Sequence, residues 1–305
     1  MKLYQFIFNK PYIKHAYFRF LEFLFRYKFF NAKTYIKLQF KIRNKYKCNL
    51  RSPFTLSEKL QWLKLNQINP EYTQLVDKVK FKEFIKNKIG EEYVVPSLGF
   101  WDRVEDIDFA NLPNEYFIKC NHGSGKRYTF IVDETTDKKL LIKKLKKGIK
   151  CNHFYHGAEY PYKNIEKKII AEKIMQKETP GGWILRILPD DYKIHCFNGK
   201  PQLIQIDQNR FLNHQRNFYN TEWEKLNLKV GYPNFDDFIL PAKVLQEKLL
   251  SIASELSSGI PFVRIDFYIV DNKIYVGEMT FFPDAGYINF DPPEWDAKLG
   301  ELLYI

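Results

Sequence analysis

Cysteine is scarce in this chain, and the four that occur, Cys48, Cys120, Cys151 and Cys196, lie far apart. No C-x-x-C is spelled anywhere, so neither a zinc site nor a disulfide framework is expected, and reduced thiols in a cytoplasmic protein are. Long apolar runs are missing too. Lys10, Lys14, Arg19, Glu22 and Arg26 interrupt every early candidate. That argues against a secretory signal core, which needs about 7–15 apolar residues, and against a spanning helix, which needs about 20. There is no internal repeat, no low-complexity linker and no G-x-x-x-x-G-K-[ST] loop.

What remains is ordinary globular material. The chain has 305 residues, of which 45% are hydrophobic and 28% charged, enough for a large core. The formal net charge is +12, which favours anionic partners: nucleic acid, a phospholipid surface or phosphorylated small molecules. Aromatic residues are abundant, with 27 Phe and 20 Tyr, many of them in the first thirty positions. From Tyr12 to Phe30 the pattern is helical, with Arg19, Glu22 and Arg26 marking a polar stripe. Lys33 to Lys47 is a second basic stretch. Two readings fit residues 1–50: helices packed on the body of the protein, or an interfacial segment with aromatic bulk among headgroups and Lys/Arg facing anionic lipid. Nucleic acid is not expected, for want of periodic Gly or an RNA-binding motif.

Thr55-Leu-Ser-Glu58 spells a capping box, and a helix is expected to follow. A further helix is expected from Glu71 to about Lys88, ending near Gly90. Tyr116–Cys120 and Tyr128–Val132 alternate like strands around a glycine-containing loop. Thr136 to about Lys150 reads as a basic helix, and Ile169–Met175 as a strand. Asp191–Phe197 and Gln202–Asp207 flank Asn198-Gly199, a type I′ turn signal. Pro241–Leu256 and Pro293–Leu303 read as helices, with a second hairpin, Phe262–Val270 and Ile274–Met279, between them. The order implies an α+β fold with antiparallel sheets.

Three pieces carry chemistry. On a strand Arg264 and Asp266 face the same way. If a three-residue loop, Asp271-Asn-Lys273, closes the second hairpin, Asp266 stands opposite Glu278; a two-residue turn would put them on opposite faces. Opposed Cβ atoms are about 5 Å apart, and like charges there need compensation. A divalent cation with oxygen ligands supplies it; strand carboxylates paired with Lys or Arg are the plainer alternative. In Phe117–Lys126 a strand ends in a small-residue loop. Gly123, Ser124 and Gly125 could turn N–H groups toward an anion, with Lys119 as a fixed charge and Lys126 or Arg127 closing over it. A simple hairpin turn would also account for these residues. Finally, alternation puts Asp191, Lys193 and His195 on one face, either solvated or lining a cleft.

Taken in order, several words resemble the TupA-like branch of the ATP-grasp superfamily. They are Pro53–Trp62 (PFTLSEKLQW), Asp77-Lys78, Glu91–Pro96 (EEYVVP), Phe117–Gly125 (FIKCNHGSG), Ile170–Glu172 (IAE), Asp191–Gly199 (DYKIHCFNG), Phe262–Asp266 (FVRID), Gly277–Pro283 (GEMTFFP) and Glu294-Trp295. They span about residues 50–304. The resemblance implies an ATP-grasp fold: a lobe at 51–112, a lid at 113–175 and a lobe with a metal site at 176–305, preceded by the helical segment 1–50. It implies ATP and Mg²⁺ as cofactors. Lys78 and Lys119 match the two nucleotide lysines, and His122–Gly125 the flexible glycine loop. Glu172, with Lys173-Ile174, matches the adenine-side hinge. Asp191 and Lys193 match ribose and phosphate contacts, Arg264 a phosphate- or intermediate-binding arginine, and Asp266 and Glu278 the metal acids. His122 is a candidate acid or base. One departure stands out: Thr280 occupies the position where the wider superfamily often has a third, Asn, metal ligand.

The reaction so implied is phosphorylation of a carboxylate by ATP, then attack by an amine to give an amide. Members of this branch are associated with capsule, lipopolysaccharide and teichuronopeptide. The expected substrates are therefore a uronic acid of a nucleotide-linked or lipid-linked glycan and a small amine. The expected location is cytoplasmic, with peripheral attachment to an anionic membrane surface as an option. Glycosyl or phosphoryl transfer in the same pathway is the alternative enzyme class. A non-enzymatic basic adaptor is a third reading, against which the retained lysines and acids argue.

Overall fold

A computed structural model describes residues 11–125, 127–175, 188–210 and 213–305. Two helices open the described chain, α1 (Pro11–Arg26) and α2 (Ala32–Arg43). The Asn31 side chain caps α2 by accepting from the Thr34 amide. Helix α3 (Leu56–Asn66) starts at the anticipated capping box, with Thr55 accepting from the Glu58 amide and Glu58 reaching back to the Thr55 amide.

The single helix expected over 71–88 is instead two, α4 (Tyr72–Val76) and α5 (Lys80–Lys88). The break has a local cause. Asp77 is extended (ψ 108), and its Oδ1 accepts from the Val79 amide at 3.0 Å. A short polar side chain offers the backbone an alternative to the helical ladder. Lys78 therefore lies in the kink rather than on a helix face.

Strands β1 (Ser97–Trp101), β2 (Tyr116–Cys120), β3 (Thr129–Val132) and β4 (Ile169–Glu172) form one antiparallel sheet in the order β1-β4-β2-β3. The basic helix α6 (Lys138–Ile149) covers it through Leu141 and Leu145, and the short helix α7 (Phe154–Gly157) follows. Strands β5 (Asp191–Phe197), β6 (Lys200–Gln208) and β7 (Gln215–Tyr219) join β8 (Phe262–Val270) and β9 (Lys273–Thr280) in a second antiparallel sheet, order β7-β6-β5-β8-β9. Helix α8 (Lys243–Ser257) and helix α9 (Glu294–Glu301) complete the chain. Pro241 lies just ahead of α8 rather than inside it.

The second sheet has two unlike faces. Ile194, Cys196, Ile204, Ile206, Ile265 and Phe267 are buried in the main core together with Leu249, Ala253 and Leu256 of α8. The other face carries a polar row in its middle, Asp191, Lys193 and His195 on β5 and Arg264 and Asp266 on β8, and is closed at one end by Phe197 and Phe262. Period-two alternation sorts the two sets along the middle of β5 and β8.

Candidate active site

The polar face is built from rows of residues in register. Across one row Gln205, Lys193, Asp266 and Glu278 are successive cross-strand partners. Across the next, Leu203, His195, Arg264 and Thr280 are. Asp191 and Asp207 pair on the other side of the first row. Directly paired residues share a face, so the sheet itself brings these side chains together.

The Asp266–Glu278 opposition arises in an unforeseen way. The hairpin turn has two residues, not three. Asp271 and Asn272 both take positive φ, 51° and 59°, as a type I′ turn requires, and Val270 pairs with Lys273. That register alone would set Asp266 against Gly277. A bulge corrects it: Phe267 pairs with Val276 and Asp266 with Glu278, leaving Gly277 as the extra residue. A Cβ at Gly277 would meet the Tyr268 ring at 2.8 Å, so the bulge needs glycine.

Asp266 is buried (2% exposed) and heavily compensated. Lys193 Nζ donates to its Oδ2 at 2.6 Å and to Asp191 Oδ1 at 3.0 Å. Arg264 donates from Nε to Asp266 Oδ1 at 2.6 Å, and from Nη2 to Oδ2 at 2.8 Å and to Thr280 Oγ1 at 3.2 Å. Glu278 is more open. Lys78 Nζ donates to its Oε2 at 3.0 Å, and Arg264 Nη2 stands 3.8 Å from Oε1. Burial pushes the Glu278 carboxyl up, but Lys78, Arg264 and Lys193 outweigh it and hold the group well below the usual carboxylate range.

A second knot sits on the smaller sheet. Phe117 pairs with Glu172 and Lys119 with Ile170, which sets Lys119 and Glu172 diagonally on one face. Lys119 Nζ contacts Glu172 Oε2, and Lys82 Nζ reaches Oε1 at 2.9 Å. Burial raises the Glu172 carboxyl, and Lys119 and Lys82 more than reverse it. Lys82 was not foreseen as a site residue, although it lies four positions after Lys78. The kink at Asp77 sends the two lysines to different sheets.

The kink is also fastened to the glycine loop. The Lys78 amide donates to the Asn121 carbonyl at 3.2 Å, and Asn121 Nδ2 donates to Asp77 Oδ1 at 2.8 Å. Beyond Asn121, Gly123 is buried and a Cβ there would strike the Tyr128 ring at 2.6 Å. Ser124 and Gly125 are exposed, and Gly125 has φ 75°. Its carbonyl accepts from the amides of Tyr128 and Thr129, at 2.9 and 3.1 Å. Lys126, expected to close over an anion, lies outside the described residues; Arg127 is exposed.

The two histidines face inward. His122 is buried, its Nδ1 3.3 Å from Asn121 Oδ1 and its ring edge-on to Tyr128. Burial, helped by Lys167, pushes its pKa down to about 4, so the imidazole is neutral at pH 7. His195 Nε2 lies 3.1 Å from Gln205 Oε1, and burial beside Arg264 pushes it down to about 3. His122 makes its contacts on the smaller sheet, apart from the acid row.

Sequence reasoning also missed the outer partners. Arg210 Nη1 donates to both Asp191 oxygens at 2.8 Å. Arg216 clasps Asp207 from Nε at 2.6 Å and Nη2 at 3.1 Å. A cavity of about 40 Å³ beside Arg264 is lined by His195, Gln205 and Arg216. A wider surface hollow of about 520 Å³ near Lys225 and Asp236 shares no residue with the acid row.

Asp266 and Glu278 offer hard carboxylate oxygens from neighbouring strands, and Thr280 a hydroxyl one row along. That donor chemistry suits Mg²⁺. The cations around it suit phosphate oxygens. Another acidic spelling, Asp106-Ile-Asp108, is a D-x-D pattern but lies in an exposed turn. There Arg103 Nη2 binds Asp106 at 2.6 Å and Asn111 Nδ2 binds Asp108 at 2.6 Å.

Comparison with known proteins gave one family match, to the model described as TupA-like ATPgrasp, over residues 58–304. A search of curated proteins found no match. Among solved structures the chain is similar to D-alanine–D-alanine ligase from Bacillus anthracis complexed with ATP (16% identity, TM-score 0.38, covering 68% of this chain and 53% of that one). It is also similar to D-alanine–D-alanine ligase from Helicobacter pylori (16% identity, TM-score 0.41, 81% and 69%). A third is the ATP-grasp ligase PsnB complexed with minimal precursor, Mg and ADP (10% identity, TM-score 0.39, 74% and 58%). The chain spans 53% of the length of the first of these and 69% of the second.

Proposed function

Because the chain belongs to the TupA-like ATP-grasp family, we propose that it is an ATP-dependent carboxylate–amine ligase. The supporting observation is the row Lys193–Asp266–Glu278–Lys78. It gathers two acids and two lysines from three strands and a helix kink at one point.

The chemistry runs in two steps. A substrate carboxylate oxygen attacks the γ-phosphorus of ATP, the bond to the β-phosphate bridge breaks, and ADP leaves. An amine nitrogen then attacks the acyl carbon of the acyl phosphate, inorganic phosphate leaves, and the nitrogen loses a proton as the amide forms. Phosphoryl transfer rests mainly on positioning and charge stabilisation. Lys78 and Lys119 would hold the phosphates, Arg264 the charge that develops on transfer, and Glu172 the adenine side of the nucleotide. Asp191 and Lys193 would fix ribose and phosphate. Asp266 and Glu278 would hold Mg²⁺, which supplies neutralisation of the phosphate charge. The loop at His122–Gly125 would exclude water from an easily hydrolysed acyl phosphate. His122, neutral and buried, would serve as packing for that loop or as a proton acceptor; at pH 7 it is not the imidazolium that a general acid would need.

The substrate reading is a uronic acid of a cell-surface polysaccharide or its nucleotide- or lipid-linked precursor, joined to an amino acid or amino alcohol. The cation-rich face suits a polyanionic acceptor. Glycosyl or phosphoryl transfer is the competing reading, and the setting of the acid pair among Lys78, Lys193 and Arg264 favours it less than ATP chemistry. The test is product analysis with purified protein. ADP and phosphate released only when both a glycan acid and an amine are present support ligation. Release of UDP from a nucleotide sugar without ATP consumption would replace the proposal with glycosyl transfer.

A further inference from the structure

The geometry points to a docking surface for an anionic lipid bilayer on α1 and α2, independent of the reaction proposed above. Helix α1 has two apolar faces, and among the described residues only one is packed in a core cluster. Leu21 and Phe25 are buried against α2 and α7, with the Phe25 ring stacked on Tyr35 at 4.5 Å and packed against Phe154 at 5.4 Å. The opposite face carries Tyr12, Phe20, Phe23 and Tyr27, with Phe29 in the turn beyond, and these five rings are between 50% and 70% exposed. Positions 12, 20, 23 and 27 fall in one stripe at helical spacing. Scattered exposed rings need no explanation, but a continuous aromatic stripe on a small protein marks an interaction site.

Charge selects the occupant. Arg19 and Arg26 flank the stripe, both exposed. On α2, Lys33, Lys37 and Lys41 are exposed at four-residue steps and form a row along that helix. Glu22 is the sole acid between Pro11 and Lys47, and it is turned inward, its Oε2 3.9 Å from His156 Nδ1. An aromatic stripe and a lysine row on two helices packed together, with no acid facing out, match the interface between headgroups and acyl chains of an anionic leaflet. The stripe is a convex helical ridge rather than a groove. It suits lying in a planar interface better than clasping a strand of nucleic acid, whose bases stack on rings that line a channel. Among the described residues no helix is long and apolar enough to cross a membrane, so the contact is peripheral.

The test is sedimentation of the full-length protein with vesicles of phosphatidylglycerol and phosphatidylethanolamine, against vesicles of phosphatidylcholine alone. The intact protein should pellet with the anionic vesicles and stay in solution with the neutral ones. The combined variant Phe20→Ser/Phe23→Ser/Tyr27→Ser should lower the bound fraction at least tenfold at unchanged melting temperature. Lys33→Glu/Lys37→Glu/Lys41→Glu, which touches only exposed side chains, should abolish the preference for anionic lipid. Equal recovery in both supernatants would overturn the inference. So would a ring variant that pellets like the parent, or a parent dimer that the ring variant splits without any vesicle binding, which would assign the face to a second copy of the chain.

Discussion

The Lys78 ammonium lies 3.0 Å from Glu278 Oε2 across 200 positions of sequence. The contact needs two irregularities at once: the helix break that frees Lys78 and the bulge that turns Glu278 toward it. Removing the charge at Glu278 takes from Lys78 the acid it grips, leaves Arg264 with Asp266 alone, and leaves a metal ion one ligand short. Glu278→Gln should therefore cut ADP release by roughly 100-fold or more, the scale of losing one electrostatic contact to a transferring group. Its far-UV circular dichroism should stay that of the parent. Full activity in this variant would remove Glu278 from the metal role.

Glu172 is held by two lysines in a buried setting, so its loss should be felt in folding as well as in nucleotide binding. Glu172→Gln strands Lys82 and Lys119 together without a counter-charge, a defect that costs about 3 kcal/mol when a buried pair is broken. Thermal unfolding should show the loss. Titration with ATP should show weakened affinity in the same variant. An unchanged melting temperature would contradict the buried-pair account.

Gly277 should not tolerate a side chain. Gly277→Ala places a methyl against the Tyr268 ring, and overpacking of this kind costs about 1–3 kcal/mol. The double variant Gly277→Ala/Tyr268→Ala should recover part of that stability. If the single variant melts like the parent, the bulge does not depend on glycine.

Three histidines, His122 and His195 buried and His153 half-buried, set a pH dependence. Burial pushes His122 down to about 4, and His153 and His195 to about 3, against about 6.5 in an unfolded chain. The unfolded state thus binds more protons below pH 6.5, so stability rises with pH across the window from about 3 to 6.5 and is lost on acidification. Urea unfolding at pH 5 and pH 7.5 should show the lower midpoint at pH 5. His195→Gln should narrow the gap. A midpoint that does not change with pH would show that these imidazoles are not buried as neutral groups.

Much of the site was legible because strand alternation is a strong constraint. Asp191, Lys193 and His195 do share a face, and Asp266 does stand opposite Glu278. The route to that opposition was not legible: a three-residue turn and a two-residue turn plus one bulge give the same register, and what separates them is the backbone of Asp271-Asn272 and the Val270–Lys273 pairing, which alternation does not encode. The uninterrupted helix expected over 71–88 failed for a related reason. The apolar periodicity continues across Asp77, and the competing hydrogen bond to Val79 is a matter of side-chain geometry. Lys82, Arg210 and Arg216 were missed because each finds its acid from a different element, which local pattern does not encode. The sequence did carry one cue for Lys82, its four-residue spacing from Lys78.

The turn around Lys78 belongs to both sheets. Its main chain is tied to Asn121 at the mouth of the glycine loop, while its ammonium grips an acid of the other sheet. Any swing of the smaller sheet away from the larger must carry that ammonium off its acid or tear the main-chain tie. Separation of the two sheets is thus opposed, through a single residue, by an ion pair and a main-chain hydrogen bond acting together.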